Sequence, residues 1–104
     1  MSKNYQGPGQ TVTFVSPTAG TTSGVPLAIN ALVVVPMDTT TKGQLCVGAL
    51  GGSWLLPVTG ALKQGAKVSL LAGGLVADGT ADAVPFGKLL GDASGGFAEA
   101  LLIQ

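Results

Sequence analysis

Gln44-Leu45-Cys46-Val47-Gly48-Ala49-Leu50-Gly51-Gly52-Ser53-Trp54-Leu55-Leu56-Pro57-Val58 is an uncharged stretch in which a pair of glycines separates two short apolar runs. Each run is too short for a stable helix, and the glycines between them take φ > 0 without a Cβ penalty. Such a pattern predicts two strands, Gln44–Leu50 and Trp54–Val58, with Gly51-Gly52 as a tight primed turn between them. Pro57 has no N–H to give a ladder, so it belongs at a strand end, an edge or a bulge, and the same holds for Pro26, Pro36 and Pro85.

The pattern repeats on both sides. Further strands are expected over Thr11–Val15, Val25–Ile29, Leu32–Val35, Lys67–Leu71, Gly74–Ala77, Phe86–Gly91 and Phe97–Ile103, with Gly73-Gly74 as a second hairpin turn. Turn signals recur about every 8–12 residues, the spacing of a β-sandwich or small barrel. Two segments carry some helical signal. Gly60–Ala66 could form a single turn but is weakened by two glycines. Phe97–Gln104 contains good helix formers but is short, and as a strand it segregates Phe97, Glu99, Leu101 and Ile103 from Ala98, Ala100 and Leu102. The strand reading is preferred for this last segment. The expected fold is therefore all-β, a small sandwich or barrel-like domain over residues 11–104, preceded by a flexible, extended N-terminal arm over residues 1–10.

Composition narrows the function. The chain has 104 residues, 5 Lys, 5 acidic residues, no Arg and no His, with zero net charge and 10% charged residues. An average soluble domain has roughly 25% charged residues. Without a basic excess or many aromatics, the footprint for nucleic acid is missing. Without His or a cysteine cluster there is no imidazole base and no thiolate metal site. One cysteine also excludes an intrachain disulfide and gives no sign of a secreted scaffold. The polar N-terminus has no apolar core of a signal peptide. The uncharged span from Gly43 to Leu62 is broken by Gly48, Gly51, Gly52, Pro57 and Gly60, so no membrane segment is expected. The protein is expected to be soluble and made in the cytoplasm.

A search for reaction chemistry gives little. No nucleophile elbow, Walker-type loop or dinucleotide fingerprint is present; Gly87-Lys88 is followed by Leu89, with Asp82 where the leading glycine would stand. Asp78 and Asp82 could pair as carboxylates, but Asp78-Gly79-Thr80 reads as a turn. Lys63 and Lys67 read as solvated surface, and no cofactor is expected. Trp54 is either a core or sheet-face anchor or an intersubunit contact. Tyr5 is the one aromatic residue of the polar arm, suited either to a partner or to packing back on its own subunit.

Several segments in this order resemble a known family. They are Met1-Ser2-Lys3-Asn4-Tyr5 ahead of the Gln-Thr-Val-Thr strand, Thr22-Ser23-Gly24-Val25-Pro26, and Lys42-Gly43-Gln44-Leu45-Cys46-Val47. Gly52-Ser53-Trp54-Leu55-Leu56-Pro57, Gln64-Gly65-Ala66-Lys67-Val68 and Phe86-Gly87-Lys88-Leu89-Leu90-Gly91 complete the set. Together they resemble the small capsid cement, or head decoration, proteins of tailed bacteriophages, a group once catalogued as predicted phage recombinases; no nucleotide loop supports that older label. The resemblance implies a structural, non-enzymatic subunit on the outer surface of the virion. It would bind a major capsid protein after the shell expands and bridge neighbouring capsomers. It also implies a homo-oligomer, a trimer rather than a dimer, with Lys3, Asn4, Tyr5, Gln6, Pro8 and Trp54 as candidate capsid or intersubunit contacts. The alternative is a small β-sandwich module that binds carbohydrate or peptide.

Leu45 and Val47 flank Cys46, which therefore reads as a small buried hydrophobe with only Lys42 near it in sequence. Its thiol is expected to react with an aromatic disulfide reagent only on unfolding, at least about 100-fold more slowly in the native protein. Stopped-flow labelling with and without denaturant measures this ratio.

Overall fold

The computed structural model describes residues 9–104. All described secondary structure is strand: β1 Thr11–Val15, β2 Leu27–Ile29, β3 Leu32–Pro36, β4 Leu45–Ala49, β5 Ser53–Pro57, β6 Lys67–Leu71, β7 Gly74–Ala77, β8 Val84–Leu89 and β9 Phe97–Leu102. Each expected strand is present, and Gly60–Ala66 forms an open turn closed by Ala66 N–H to Lys63 C=O at 3.0 Å. The proline rule holds. Pro36 and Pro57 end β3 and β5, Pro26 precedes β2, and Pro85 lies at a register shift in β8.

The strands form two antiparallel sheets, ordered β1-β4-β3-β2 and β5-β9-β8-β6-β7. This corrects the reading of Gly51-Gly52. β4 pairs with β1 and β3, whereas β5 pairs with β9, so the double glycine carries the chain from one sheet to the other instead of closing a hairpin. Of the two, only Gly52 has positive φ, at 92°. The β6–β7 hairpin is real, but its turn is shifted by one residue. Leu71 pairs with Gly74, leaving Ala72 (φ 51°) and Gly73 (φ 83°) as the central residues. This register places Leu75 fully inside the core.

The five-stranded sheet curls until its edges meet. Val58, just past β5, bridges Leu75 of β7 in parallel, and Thr59 N–H donates to Leu75 C=O at 2.9 Å. Its interior is Leu56, Val58, Val68, Leu70, Leu75, Phe86, Leu89, Ala98, Ala100 and Leu102, and β3 adds Val33 and Val35 from the other sheet. One bulge shapes this core. Val68 pairs with Gly87 and Ser69 with Pro85, so Phe86 is an extra residue whose ring is completely buried. An extra residue bends a strand and increases its twist, which a small closed sheet requires.

Beside the bulge, β8 and β9 approach so closely that a Cβ on Gly87 would lie 1.9 Å from Leu101 O and 2.9 Å from Ile103 N. The other face of the four-stranded sheet is covered by the loops after β1 and β3. There the buried Thr21 hydroxyl bonds Thr40 Oγ1 at 2.6 Å and donates to Asp38 C=O at 2.9 Å, while Ser16 Oγ also bonds Thr40 Oγ1.

Two substitutions separate space from backbone conformation. Gly87→Ala forces backbone apart and is expected to cost at least about 3 kcal/mol. Ala72→Gly relieves a left-handed alanine and is expected to stabilise by about 1 kcal/mol. Urea unfolding midpoints should move in opposite directions for the two variants.

Candidate functional site

Among the described residues, the charged side chains do not converge. Lys63 and Asp92 approach to 4.0 Å with both side chains largely exposed, a geometry that contributes little stability. The carboxylates tie loops instead: Asp92 Oδ1 accepts from Gln64 N–H at 2.8 Å and Asp78 Oδ1 from Ser69 Oγ at 3.2 Å. Asp82 occupies a left-handed turn position, φ 64°. No group of three metal-ligating side chains occurs among the described residues. Cys46 is buried beneath the first sheet, its Sγ 3.7 Å from both Thr21 Oγ1 and Asp38 O.

Apolar surface is what the fold leaves conspicuous. In the four-stranded sheet, Val33, Val35 and Ala49 face the core on one side, while Gly48, Val34 and Phe14 pack together on the opposite side. Strand alternation puts Val47 and Leu45 on the same face as Ala49, together with their register partners Thr13 and Val15. Met37 N–H donates to Val47 C=O at 2.9 Å, which places Met37 beside them. The core-side face thus runs past the area that the second sheet covers. Leu45 is 69% exposed, Val15 62% and Met37 50%. These are side chains of a core-type surface left in water.

A second patch lies outside the closed sheet. Leu55 of β5, 71% exposed, pairs with Glu99, and Pro57 pairs with Phe97, which is 49% exposed. Leu90, also exposed, donates its N–H to Glu99 C=O at 2.8 Å and extends the patch. The exposed apolar side chains thus surround the single charge of Glu99, and clustered apolar surface marks contact sites. The two patches lie on different sheets.

Compared with known protein families, the sequence matches the phage cement protein family over residues 6–103. The chain belongs to that family. No curated protein and no solved structure gives a significant match. A cement protein is a structural component of the phage particle, which accords with a molecule whose conspicuous features are apolar patches.

Of the candidate contact residues in this cement protein, Lys3, Asn4, Tyr5, Gln6 and Pro8 lie outside the described residues. Trp54 is partly buried and packs against the core from the inner side of β5, its indole N–H donating to Gly51 C=O at 3.0 Å. It anchors the crossing between the sheets. The two exposed patches escape a sequence reading because Leu45, Val47 and Leu55 alternate like any core strand; the offset of the two sheets decides which of them stay in water.

Because its ring spans the core edge and the crossing, Trp54→Ala is expected to cost about 3 kcal/mol, near the low end for a large aromatic residue. Trp54→Phe should recover most of the packing and lose only the hydrogen bond. Thermal or urea unfolding of both variants checks this ranking.

Proposed function

We propose that this cement protein decorates the outer surface of the expanded phage shell and stabilises it by bridging neighbouring capsomers. The observation that carries the reading is the pair of apolar patches, Val15–Leu45–Val47–Met37 on one sheet and Leu55–Pro57–Phe97–Leu90 on the other. A bridge needs two adhesive surfaces on one rigid body, and burying apolar area supplies binding free energy without any charge pairing. Binding to the assembled shell but not to its dissociated parts stabilises the shell by mass action, multiplied over many identical sites.

In this reading residues 1–10 serve as an arm that adds contacts to the shell or to a neighbouring subunit. Nine residues, Ser2–Gln10, span about 30 Å when extended. Tyr5 is the natural anchor, because one aromatic side chain brings much contact area for little lost side-chain freedom. Lys3, Asn4, Gln6 and Pro8 flank it.

Cosedimentation with expanded, undecorated heads tests the proposal. Wild-type protein should bind and raise the temperature at which heads release their contents. Leu45→Asp and Leu55→Asp should each weaken binding at least about tenfold while leaving the folded state intact, since both side chains are already in water. Removing residues 2–8, which spares the Leu50 N–H to Gln10 C=O bond at 2.9 Å, should also reduce head protection. Binding that survives both aspartate substitutions would overturn the assignment of the patches.

A further inference from the structure

Among the described residues, β1 is an open sheet edge. The four-stranded sheet ends in β1 on one side and in the three-residue β2 on the other, whereas the edges of the second sheet meet each other through Val58 and Leu75. Exposed edges are usually guarded by a charge, a proline or a bulge. Thr11-Val12-Thr13-Phe14-Val15 carries none of these: its register with β4 runs unbroken from Thr11↔Ala49 to Val15↔Leu45.

The ladder shows which backbone groups are free. Ser16 N–H donates to Gln44 C=O at 2.8 Å, and Leu50 N–H donates to Gln10 C=O at 2.9 Å. In an antiparallel pair the hydrogen-bonded positions alternate, so Val12 and Phe14 bond toward β4 as Gln10 and Ser16 do. The N–H and C=O of Thr11, Thr13 and Val15 therefore point away from the sheet. All three residues are exposed.

We propose that this edge pairs with β1 of a second copy, antiparallel, about a two-fold axis through Thr13. The match is a property of the strand itself. Setting Thr13 opposite Thr13 of the other copy sets each Thr11 opposite a Val15, and every outward-facing backbone group then meets another, giving about six hydrogen bonds. Thr–Thr and Thr–Val pairs suit such a ladder, and no charges oppose one another. The product is a continuous sheet of twice four strands, with the Val15–Leu45–Val47–Met37 surfaces of both copies on the same side. A single strand pair buries less than the roughly 1,000 Å² of a lasting dimer, so pairing is concentration-dependent in free solution and favoured where copies are crowded. The contact joins subunits two by two even where another surface gathers them in threes. It requires no shell, so it stands or falls separately from the capsid assignment.

The test uses the whole chain in sedimentation equilibrium, from about 10 μM to about 1 mM. Wild-type protein should shift from monomer mass toward twice that mass. Thr13→Lys and Thr13→Glu both keep the β1–β4 bonds, and each places like charges face to face at the axis, so each alone should associate at least about tenfold more weakly. An equimolar mixture of the two should regain the association, and adding salt should weaken the mixture while strengthening each variant alone. Amide exchange should slow with concentration at Thr11, Thr13 and Val15 of the wild type and stay constant at Val12 and Phe14. A wild type of constant monomer mass, single variants that associate like wild type, or a mixture that does not recover would each overturn the proposal.

Discussion

Where β4 leaves its neighbour at the Gly51-Gly52 crossing, Val33, flanked by Ala28 of β2 on one side, has no strand on the other, and a buried N–H or C=O left bare costs about 1–3 kcal/mol. The side-chain amide of Gln104 fills that place. Its Oε1 accepts from Val33 N–H at 3.1 Å, and its Nε2 donates to Val33 C=O at 2.6 Å and to Leu50 C=O at 2.9 Å. A carboxamide copies the donor and acceptor of a peptide group, so the segment after β9 acts as one residue of an extra strand in the first sheet. Everything else in the fold relies on that join. It allows β4 to change sheets without leaving a torn ladder, and it ties the closed sheet to Val33, whose side chain enters the same core.

The offset of the two sheets follows from the crossing. β4 is covered only near its Ala49 end, because that is where the chain turns into β5, and the Leu45 end projects beyond the covered area. In an isolated monomer this is poor use of apolar surface. For a cement protein the same surface is available to a partner. Scarcity of charge, which on its own only excludes functions, acquires a physical meaning under the proposed role: few charged side chains would have to be desolvated on contact with a partner.

Local punctuation made the strands legible. Gly, Pro and Asp mark nearly every strand end, and alternation in Phe97–Ile103 separated the buried alanines from the exposed Phe97 and Glu99 correctly. Partner choice was not legible. Gly51-Gly52 carries the same local signal whether the chain folds back within a sheet or passes to another, and the outcome is decided by β9, which pairs with β5 from far along the chain, as in Ser53↔Leu101. The β6–β7 turn slipped by one residue because burial of Leu75 outweighs the discomfort of a left-handed Ala72. The bulge at Phe86 and the role of Gln104 depend on three-dimensional closeness that no spacing rule encodes. Trp54 packs against the core, where a sheet-face anchor would sit, whereas the exposed patches depend on how far one sheet overlaps the other.

The strand order also sets a timetable. β9 lies between β5 and β8, so the closed sheet has a gap in its middle until Phe97–Leu102 is in place. On a ribosome delivering about 5–20 residues per second, β5 through β8 emerge with their central partner still unmade, and Val33 waits for Gln104. The first sheet and the β6–β7 hairpin can assemble early, but the core cannot close before β9 has emerged. A fragment lacking β9 leaves the facing edges of β5 and β8 without the strand that joins them.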